Sequence, residues 1–545
     1  MNPVGLLQPE SPATKKINQK LSDAAVAFSK PDNHLSSLMK QPQRFQSCSL
    51  QIKGFSFDYS RQRLDQHATE LLYQAAAITN VLKKYIGMTQ GDIVNATECR
   101  PALHTATRGS GPESIIYKGM NVRKEIERVN ADIQSFTNAI HRGDIKSFSG
   151  KPFEQVVVVG IGGSYLGCEF VYRALGDTDK KMDLLFLPNV DIDNFSHVIS
   201  QIQVETTLWI IISKSYTTTE TMANLNQVRT LLSEHKIPPQ DHIVTVTAKG
   251  SPGDEPENPG LASFHMYDFI GGRYSVSSAV GGLPLSLAFG FDTFQRFLDG
   301  CQIMDNHAVT SEPEKNIPLT AALISIWNTL YLGYQTQAII PYASRLSKLA
   351  PHVQQLYMES IGKSVSSKGS PLTQAAGAII FGEPGTNAQH SFFQLAHQGP
   401  AFPIDFIGII TPGYSGTQTQ SKGVTNHQEL WANLLAQARA LAMGRQSDDA
   451  AKNFDGNRPS SIIALNNLKP ESVGMLLAFY EAKTVMEGFI LGVNPFDQFG
   501  VELGKIMAND VRKEMAEKNQ NPEYTFTKLE TDDRYYLNLL FNKGE

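Results

Sequence analysis

The sequence is poor in cysteine, in clustered basic residues and in long apolar stretches, and each shortage excludes a class of protein. Its 545 residues contain only 4 cysteines, which are too few for a disulfide-stapled fold and suit a reducing compartment. No C-x-x-C pair occurs, and no histidine lies at zinc-finger spacing from a cysteine, so we expect no zinc site. The cysteines are Cys48, Cys99, Cys168 and Cys301.

Charge and hydropathy exclude two kinds of partner. The formal net charge is −5 and lysine and arginine form no runs, whereas a nucleic-acid-binding protein normally carries a strong basic patch. No apolar stretch approaches the roughly 18–20 residues that span a bilayer, and residues 1–20 lack the apolar segment of a secretory signal. We therefore expect a cytoplasmic protein with no nucleic-acid partner and no membrane partner.

Size and composition indicate a large α/β protein. With 41% hydrophobic and 19% charged residues, the chain can bury a sizeable core, and its length suggests about two to four domains. Residues 1–115 are predicted to be mainly helix and loop, with a helix over 64–85. From residue 155 onward strand-like and helix-like segments alternate, which is typical of parallel sheets covered by helices. Strands are predicted at 155–160, 184–188, 208–212, 242–248, 337–343, 377–385 and 406–413, and helices at 114–140, 164–175, 426–443 and 471–490.

A glycine-rich loop, GIGGSYLG at 160–167, directly follows the first predicted strand. Glycines let the backbone approach a ligand, and the N–H groups at the start of the next helix suit a phosphate. Ser164 adds a hydroxyl, whereas Tyr165 stands where a dinucleotide-binding G-x-G-x-x-G pattern needs glycine. The loop favours an anionic ligand, with a purely structural turn as the alternative.

A second loop, SKSYTTTET at 213–221, follows the strand at 208–212 and is dense in hydroxyl groups. Lys214 adds a cation. Hydroxyl and backbone N–H groups at a strand-to-helix turn can surround a terminal phosphate. Capping of the following helix would explain one or two of these hydroxyls and is the alternative.

Arg273 and Glu359 are candidate charged groups for catalysis. Arg273 lies in GGRYSVSS, where the glycines permit close ligand approach, and its permanent charge suits a developing oxyanion. Glu359 lies in QQLYMES among apolar neighbours that would shield it from water, a setting that suits a general base. The alternatives are an ordinary loop arginine and a solvated surface carboxylate.

Two later segments add further candidates. His390 and His397 in GTNAQHSFFQLAHQG are possible acid–base groups, or else histidines with a structural role. Gln498 and Lys505 in NPFDQFGVELGK lie seven residues apart, which is two helical turns, so they are expected to share a helix face. An ordinary exposed face is the alternative there.

Together and in this order, the six motifs resemble the glucose-6-phosphate isomerase family over residues 155–505. GGRYSVSS and the stretch ending in PFDQFGVELGK are similar to the family's most specific motifs. The resemblance implies two SIS-type domains, each a parallel β-sheet flanked by helices, in an isomerase of glycolysis and gluconeogenesis. We expect a mainly helical N-terminal region over 1–115, SIS domains over 116–290 and 291–512, and a C-terminal arm over 513–545.

The resemblance also implies a reaction and residue roles. Glucose 6-phosphate and fructose 6-phosphate would interconvert through a cis-enediol(ate), without metal or other cofactor. Glu359 would be the base, Arg273 would stabilise the intermediate, and His390, supplied across the interface of a homodimer, would open the sugar ring with Lys505. The implied binding residues are Ser213, Lys214, Ser215 and Thr218 for the 6-phosphate, Ser164 for the sugar site, and Gln355 and Gln498 for ligand oxygens.

Three positions depart from the family pattern. Ser215 stands where threonine is common, and Tyr165 and Tyr357 stand where aspartate is common.

Two other classes of protein stay open. A sugar-phosphate sensor on the same domains would keep the hydroxyl-rich loops but need no base. A nicotinamide-dependent oxidoreductase could use Asp191 to bind a ribose, although Tyr165 breaks the glycine pattern that it requires.

Overall fold

The computed structural model describes residues 11–176, 179–256, 258, 260–373 and 376–541. The chain forms two compact units, Met1–Phe496 and Asp497–Glu545. Among the described residues, no helix is both long enough and apolar enough to cross a membrane. The domain boundaries expected at residues 116, 291 and 513 stay predictions.

Among the described residues, the first unit contains all the strands and most of the helices. The strands are β1 (Ser49–Ile52), β2 (Phe55–Arg61), β3 (Ile116–Tyr117), β4 (Met120–Asn121), β5 (Gln155–Val159), β6 (Asp183–Leu187), β7 (Thr207–Ile212), β8 (Ile243–Ala248), β9 (Ala262–Met266), β10 (Thr336–Pro341), β11 (Ile379–Phe381), β12 (Ile404–Ile409), β13 (Gln420–Ser421), β14 (Val424–Thr425) and β15 (Ser460–Leu465). The α-helices are α1 (Pro12–Ala27), α2 (Leu35–Leu38), α3 (Arg44–Ser47), α4 (Gln66–Thr79), α5 (Val81–Gln90), α6 (Val122–Arg142), α7 (Leu166–Leu175), α8 (Ile192–Ile199), α9 (Thr219–Glu234), α10 (Ala279–Phe289), α11 (Phe291–Thr310), α12 (Ile317–Ile326), α13 (Leu349–Ile361), α14 (Phe393–Gln398), α15 (Asn426–Met443), α16 (Pro470–Leu491), α17 (Glu502–Gln520) and α18 (Thr531–Phe541).

The first sheet is wholly parallel, in the order β6-β5-β7-β8-β9. Its central strands β5 and β7 are almost completely buried, as expected for β-branched runs covered on both faces. The strands predicted at 155–160, 184–188, 208–212 and 242–248 are confirmed to within two residues. The edge strand β9 was not predicted, because ASFHM lacks a β-branched run.

The second sheet is mixed, in the order β1-β2-β15-β12-β10-β11. Strands β11, β10, β12 and β15 are parallel, whereas β2 pairs antiparallel with both β15 and β1. The N-terminal region, predicted as helix and loop, therefore supplies two strands, and this sheet is not purely parallel as expected. The cause is the alternation in FSFDYSR, where Phe55, Phe57 and Tyr59 are buried and the residues between them face outward.

Several predicted helices agree with the structure, and one is divided. Helix α15 spans the predicted 426–443, and α16 extends the predicted 471–490 by one residue at each end. The helix predicted over 64–85 is instead two helices, α4 and α5. Asn80 between them has φ 54°, a left-handed conformation that asparagine tolerates better than most residues.

Helix α16 organises the interior of the first unit. All but one of its 22 residues are buried, and it packs against α11, α12 and α13. A helix buried on every face has to be enclosed by other elements, and this one also buries the charged residues Glu481, Lys483 and Glu487. Helix α13, which carries Glu359, therefore packs against a buried element.

The second unit consists mainly of α17 and α18. Phe526 in the connecting segment is buried and its ring lies 5.5 Å from that of Phe541. The Tyr524 hydroxyl donates a hydrogen bond of 2.8 Å to Glu514. Helix α18 lies within the range 513–545, and the C-terminal arm expected there stays a prediction.

Candidate active site

The carboxyl ends of β5 and β7 are neighbours at one edge of the first sheet. The strands run parallel with Val159 paired to Ile211, so the loops after them leave the sheet side by side. The glycine loop (residues 160–165) contains a 3-10 turn at Gly162–Ser164 and leads into α7. The hydroxyl loop (residues 213–218) leads into α9. The structure thus brings the two predicted anion-binding motifs together.

Side chains within the hydroxyl loop bond to one another. Ser213 is buried, and its Oγ accepts a hydrogen bond of 3.1 Å from the Tyr216 N–H and lies 3.2 Å from Thr218 Oγ1. Ser215 is exposed and accepts a hydrogen bond of 2.7 Å from the Thr217 hydroxyl. In the described part of the chain the Thr218 side chain makes no capping bond to α9, so capping does not explain this hydroxyl.

Lys214 lies in the same loop, but its ammonium group is directed to the backbone of another segment. Nζ donates hydrogen bonds of 3.2 Å to the carbonyl oxygens of both Asp268 and Ile270. Burial, together with the positive charge of Arg100, lowers the pKa of Lys214 to about 8. Two of its three donors are therefore used by the segment that precedes Arg273.

The glycine loop contacts the segments that carry Arg273 and Glu359. A Cβ added at Gly163 would lie 2.2 Å from the backbone of Gly272, and one added at Gly162 would lie 3.0 Å from Gln355 Nε2. Such distances leave no room for a side chain at Gly163. The close approach places the predicted GIGG, GGR and QQLYMES motifs against one another.

Arg273 is buried, and each nitrogen of its guanidinium group has a partner. Nε donates to Ser360 Oγ at 2.7 Å and Nη2 donates to the Pro495 carbonyl oxygen at 2.7 Å. Nη1 faces Glu359 Oε2 at 3.2 Å. The guanidinium also lies 5.5 Å from the centre of the Tyr274 ring. These contacts fix a permanent cation beside the candidate base.

Glu359 lies in the last turn of α13, and its side chain is 27% exposed. One helical turn earlier, Gln355 Nε2 donates a hydrogen bond of 3.2 Å to Glu359 Oε1. The neighbouring Leu356 and Ile361 are buried, but Met358 is 40% exposed. The apolar shielding expected for Glu359 is therefore present only toward the core, and the carboxylate stays open to a ligand.

Two residues that hold Arg273 were not predicted as site residues. Ser360 Oγ accepts from Arg273 and lies 3.0 Å from the Tyr274 hydroxyl, which itself donates to the Pro495 carbonyl oxygen at 3.2 Å. Burial raises the pKa of Tyr274 to about 12, so its hydroxyl keeps its proton and can donate. Both residues follow a candidate catalytic residue directly in sequence, which is the signal that could have indicated them.

Tyr357 and Tyr165, which depart from the family pattern, lie in different environments. Tyr357 is buried, and its hydroxyl donates a hydrogen bond of 2.6 Å to the buried Glu487, while Lys483 Nζ lies 4.9 Å from its ring centre. Its side chain is therefore part of the core. Tyr165 is half-buried at the end of the glycine loop, and burial raises its pKa.

The histidine candidates have different environments. His390 is exposed on the 3-10 turn Asn387–His390. His397 Nε2 lies 2.8 Å from Gln437 Oε1, and its ring packs 5.8 Å from that of Phe454. These contacts are typical of a structural histidine and leave His390 as the acid–base candidate.

Gln498 and Lys505 belong to the second unit and do not share a helix, contrary to the expectation. Gln498 precedes a 3-10 turn at Phe499–Val501, whereas Lys505 lies in α17, which begins at Glu502. Both side chains are exposed. The expectation was wrong because it assumed that one helix spans both positions.

Among the described residues, no group of three or more His, Cys, Asp and Glu side chains is placed to hold a metal ion.

A hydroxyl-rich loop at the end of parallel strands, together with a fixed arginine beside a carboxylate, defines an α/β protein built for acid–base chemistry on a small anionic ligand. The sequence profile of phosphoglucose isomerase matches residues 58–528. The chain therefore belongs to the phosphoglucose isomerase family.

Individual relatives agree with this assignment. A glucose-6-phosphate isomerase of Desulfosudis oleivorans is 55% identical over 531 residues, which cover 96% of this chain and 97% of the relative. A cytosolic glucose-6-phosphate isomerase of Arabidopsis thaliana is 41% identical, covering 88% and 89%. The solved structure of a glucose-6-phosphate isomerase from Chlamydia trachomatis has a TM-score of 0.88 and 35% identity, and the match covers 99% of each chain.

Proposed function

We propose that this chain is an aldose–ketose isomerase that interconverts glucose 6-phosphate and fructose 6-phosphate, a reaction of glycolysis and gluconeogenesis. The observation that carries the proposal is the contact of 3.2 Å between Arg273 Nη1 and Glu359 Oε2. Exchange of a carbonyl between C1 and C2 needs a base that moves one proton and a positive charge near the oxygens. The two groups lie on separate elements, Arg273 on the 3-10 turn Gly272–Tyr274 and Glu359 on α13, and the contact between them brings both to one place.

Glu359 acts as the base. Its carboxylate takes the proton from C2 of the open-chain aldose, and the electron pair forms the C1–C2 double bond of a cis-enediol(ate). The C1 carbonyl oxygen takes up a proton, the C2 hydroxyl releases one, and return of the proton from Glu359 to C1 gives the ketose, so the enzyme ends unchanged. General acid–base catalysis of this kind contributes about 10²–10⁴-fold, and Arg273 adds stabilisation of the negative oxygens.

The hydroxyl loop holds the phosphate, remote from the reacting carbons. Ser213, Ser215 and Thr218 supply hydroxyls, and Lys214 and the start of α9 supply backbone N–H groups. The energy of phosphate binding positions the flexible open chain over the base. Ser164 lines the sugar site, and Gln355 and Gln498 bind ligand oxygens.

Ring opening requires an acid–base group at the ring oxygen, and His390 takes this role together with Lys505. Because His390 is exposed in the single chain, it is available to a second copy of the protein. We assign the active enzyme as a homodimer in which each site receives His390 from the partner subunit. The cytoplasm, where glucose 6-phosphate is turned over, is its proposed location.

An isomerase assay tests the proposal directly. The purified chain should convert fructose 6-phosphate into glucose 6-phosphate in the presence of EDTA and without a nicotinamide cofactor. In D₂O, NMR should detect solvent deuterium at C2 of the glucose 6-phosphate, because the proton on Glu359 exchanges with water. Binding of sugar phosphate without any turnover would instead identify a sensor and contradict the proposed activity.

Mixing two inactive variants tests the shared site. In a heterodimer of Glu359→Gln and His390→Ala chains, one of the two sites contains both an intact Glu359 and an intact His390. Random reassociation of equal amounts should therefore restore about a quarter of the wild-type activity. Each variant refolded alone is the control. No recovery despite heterodimer formation would show that His390 acts within its own chain.

A further inference from the structure

We propose that Lys214 is a positioning residue that ties the hydroxyl loop to the segment carrying Arg273. Its ammonium group bridges two carbonyl oxygens, those of Asp268 and Ile270, at 3.2 Å each. This bridge, called the Lys214 bridge below, connects the proposed phosphate site to the proposed oxyanion site. The inference rests on the proposed function and concerns how its two ends are coupled.

The Lys214 end of the bridge is fixed by the first sheet. The Ser213 N–H donates to the Val246 carbonyl oxygen at 3.1 Å, and the Lys214 carbonyl oxygen accepts from the Ala248 N–H at 3.1 Å. These bonds extend the pairing with β8 by two residues beyond the end of β7. The backbone from which the Lys214 side chain starts is therefore held by hydrogen bonds to β8.

The other end of the bridge lies just before the catalytic arginine. Ile270 is three residues before Arg273, and the intervening glycines have no side chains to fix their positions. The same segment has two further bonds: the Asp268 carbonyl oxygen also accepts from Arg100 Nη1 at 3.3 Å, and the Phe269 carbonyl oxygen accepts from the Leu103 N–H at 3.0 Å. Hydrogen bonds from a charged donor are stronger than neutral ones, so Lys214 sets where the Gly-Gly-Arg turn begins.

The charges around the bridge are mixed. Arg100 shares the Asp268 carbonyl oxygen with Lys214 and lies 3.7 Å from Glu98, while the Asp268 carboxylate pairs with Lys118 at 2.7 Å. Burial is the main cause that brings the pKa of Lys214 down to about 8. The ammonium group consequently loses its proton at mildly alkaline pH, and a neutral amine donates weaker hydrogen bonds to the two carbonyl oxygens.

Steady-state kinetics of Lys214→Met separates positioning from phosphate binding. Misplacement of a catalytic group costs up to about a hundredfold in rate, so we expect kcat to fall at least about tenfold. The inhibition constant of inorganic phosphate should stay within about threefold, because the loop hydroxyls remain. We expect the wild-type kcat to decline near pH 8, as Lys214 loses its proton. Lys214→Arg keeps a charged donor that does not titrate below pH 12. This variant should therefore recover most of kcat and should not show the alkaline decline.

Three outcomes would overturn the bridge. A large rise in the phosphate inhibition constant with unchanged kcat would assign Lys214 to the phosphate itself. If neither kcat nor the phosphate inhibition constant changed, Lys214 would have no role in positioning or in phosphate binding. If Lys214→Met failed to fold, a folded Lys214→Arg enzyme whose kcat stays below roughly a tenth of the wild-type value would contradict the bridge. If the wild-type chain isomerises normally in these assays, the proposed function stands whichever of these outcomes is observed.

Discussion

Glu359→Gln should lower kcat by at least about two orders of magnitude while the protein still binds fructose 6-phosphate. Glutamine has the shape of glutamate, so its side-chain oxygen can still accept from Gln355 or Arg273, but it cannot take a proton from carbon. The buried contacts of Leu356 and Ile361 on the same helix are not altered. Turnover should therefore fail without loss of the fold, and sugar-phosphate binding measured by calorimetry should remain within about threefold of the wild type.

The matched control is the same substitution at an exposed glutamate. Glu127 lies exposed on α6, so Glu127→Gln should leave both kcat and KM unchanged. Equal thermal unfolding temperatures of the two variants would show that the loss at Glu359 is chemical. A Glu359→Gln enzyme with near-normal kcat would exclude this carboxylate as the base and require another proton acceptor.

The parts of the fold predicted from sequence are those with strong local patterns. Strand β5 was identified because its β-branched run ends in glycine, and strand β7 and helix α15 were also predicted close to their observed bounds. Strand β2 was missed although FSFDYSR alternates, since the surrounding region reads as helix. Its place beside β15 depends on a pairing between residues about 400 positions apart, which no local pattern specifies.

The candidate site shows the same division. Motif order indicated which residues belong to it, but the contact between Arg273 and Glu359 joins residues 86 positions apart and arises only from tertiary packing. The direction of the Lys214 side chain was not predictable either, because a lysine in a hydroxyl-rich loop suits a phosphate equally well. Gln498 and Lys505 were assigned to one helix because the spacing of seven does not reveal where a helix begins.

Arg273→Lys should reduce kcat by about a hundredfold, the range found when one oxyanion donor is removed. The substitution preserves the charge but loses the planar fork that bonds to Ser360, to the Pro495 carbonyl oxygen and to Glu359 at once. A lysine ammonium cannot reach all three partners, so the cation moves toward whichever it bonds. We expect KM to rise much less than kcat falls, because the phosphate contacts lie elsewhere.

The split between kcat and KM decides what Arg273 does. A group that is needed only when negative charge develops on the sugar oxygens affects kcat and kcat/KM alike, whereas a group that binds ground-state substrate raises KM alone. Arg142 is exposed on α6 and pairs with Asp144, so Arg142→Lys supplies the matched control and should change neither constant. If Arg273→Lys raised only KM, the arginine would serve substrate binding, and stabilisation of the intermediate would have to come from another donor near Glu359.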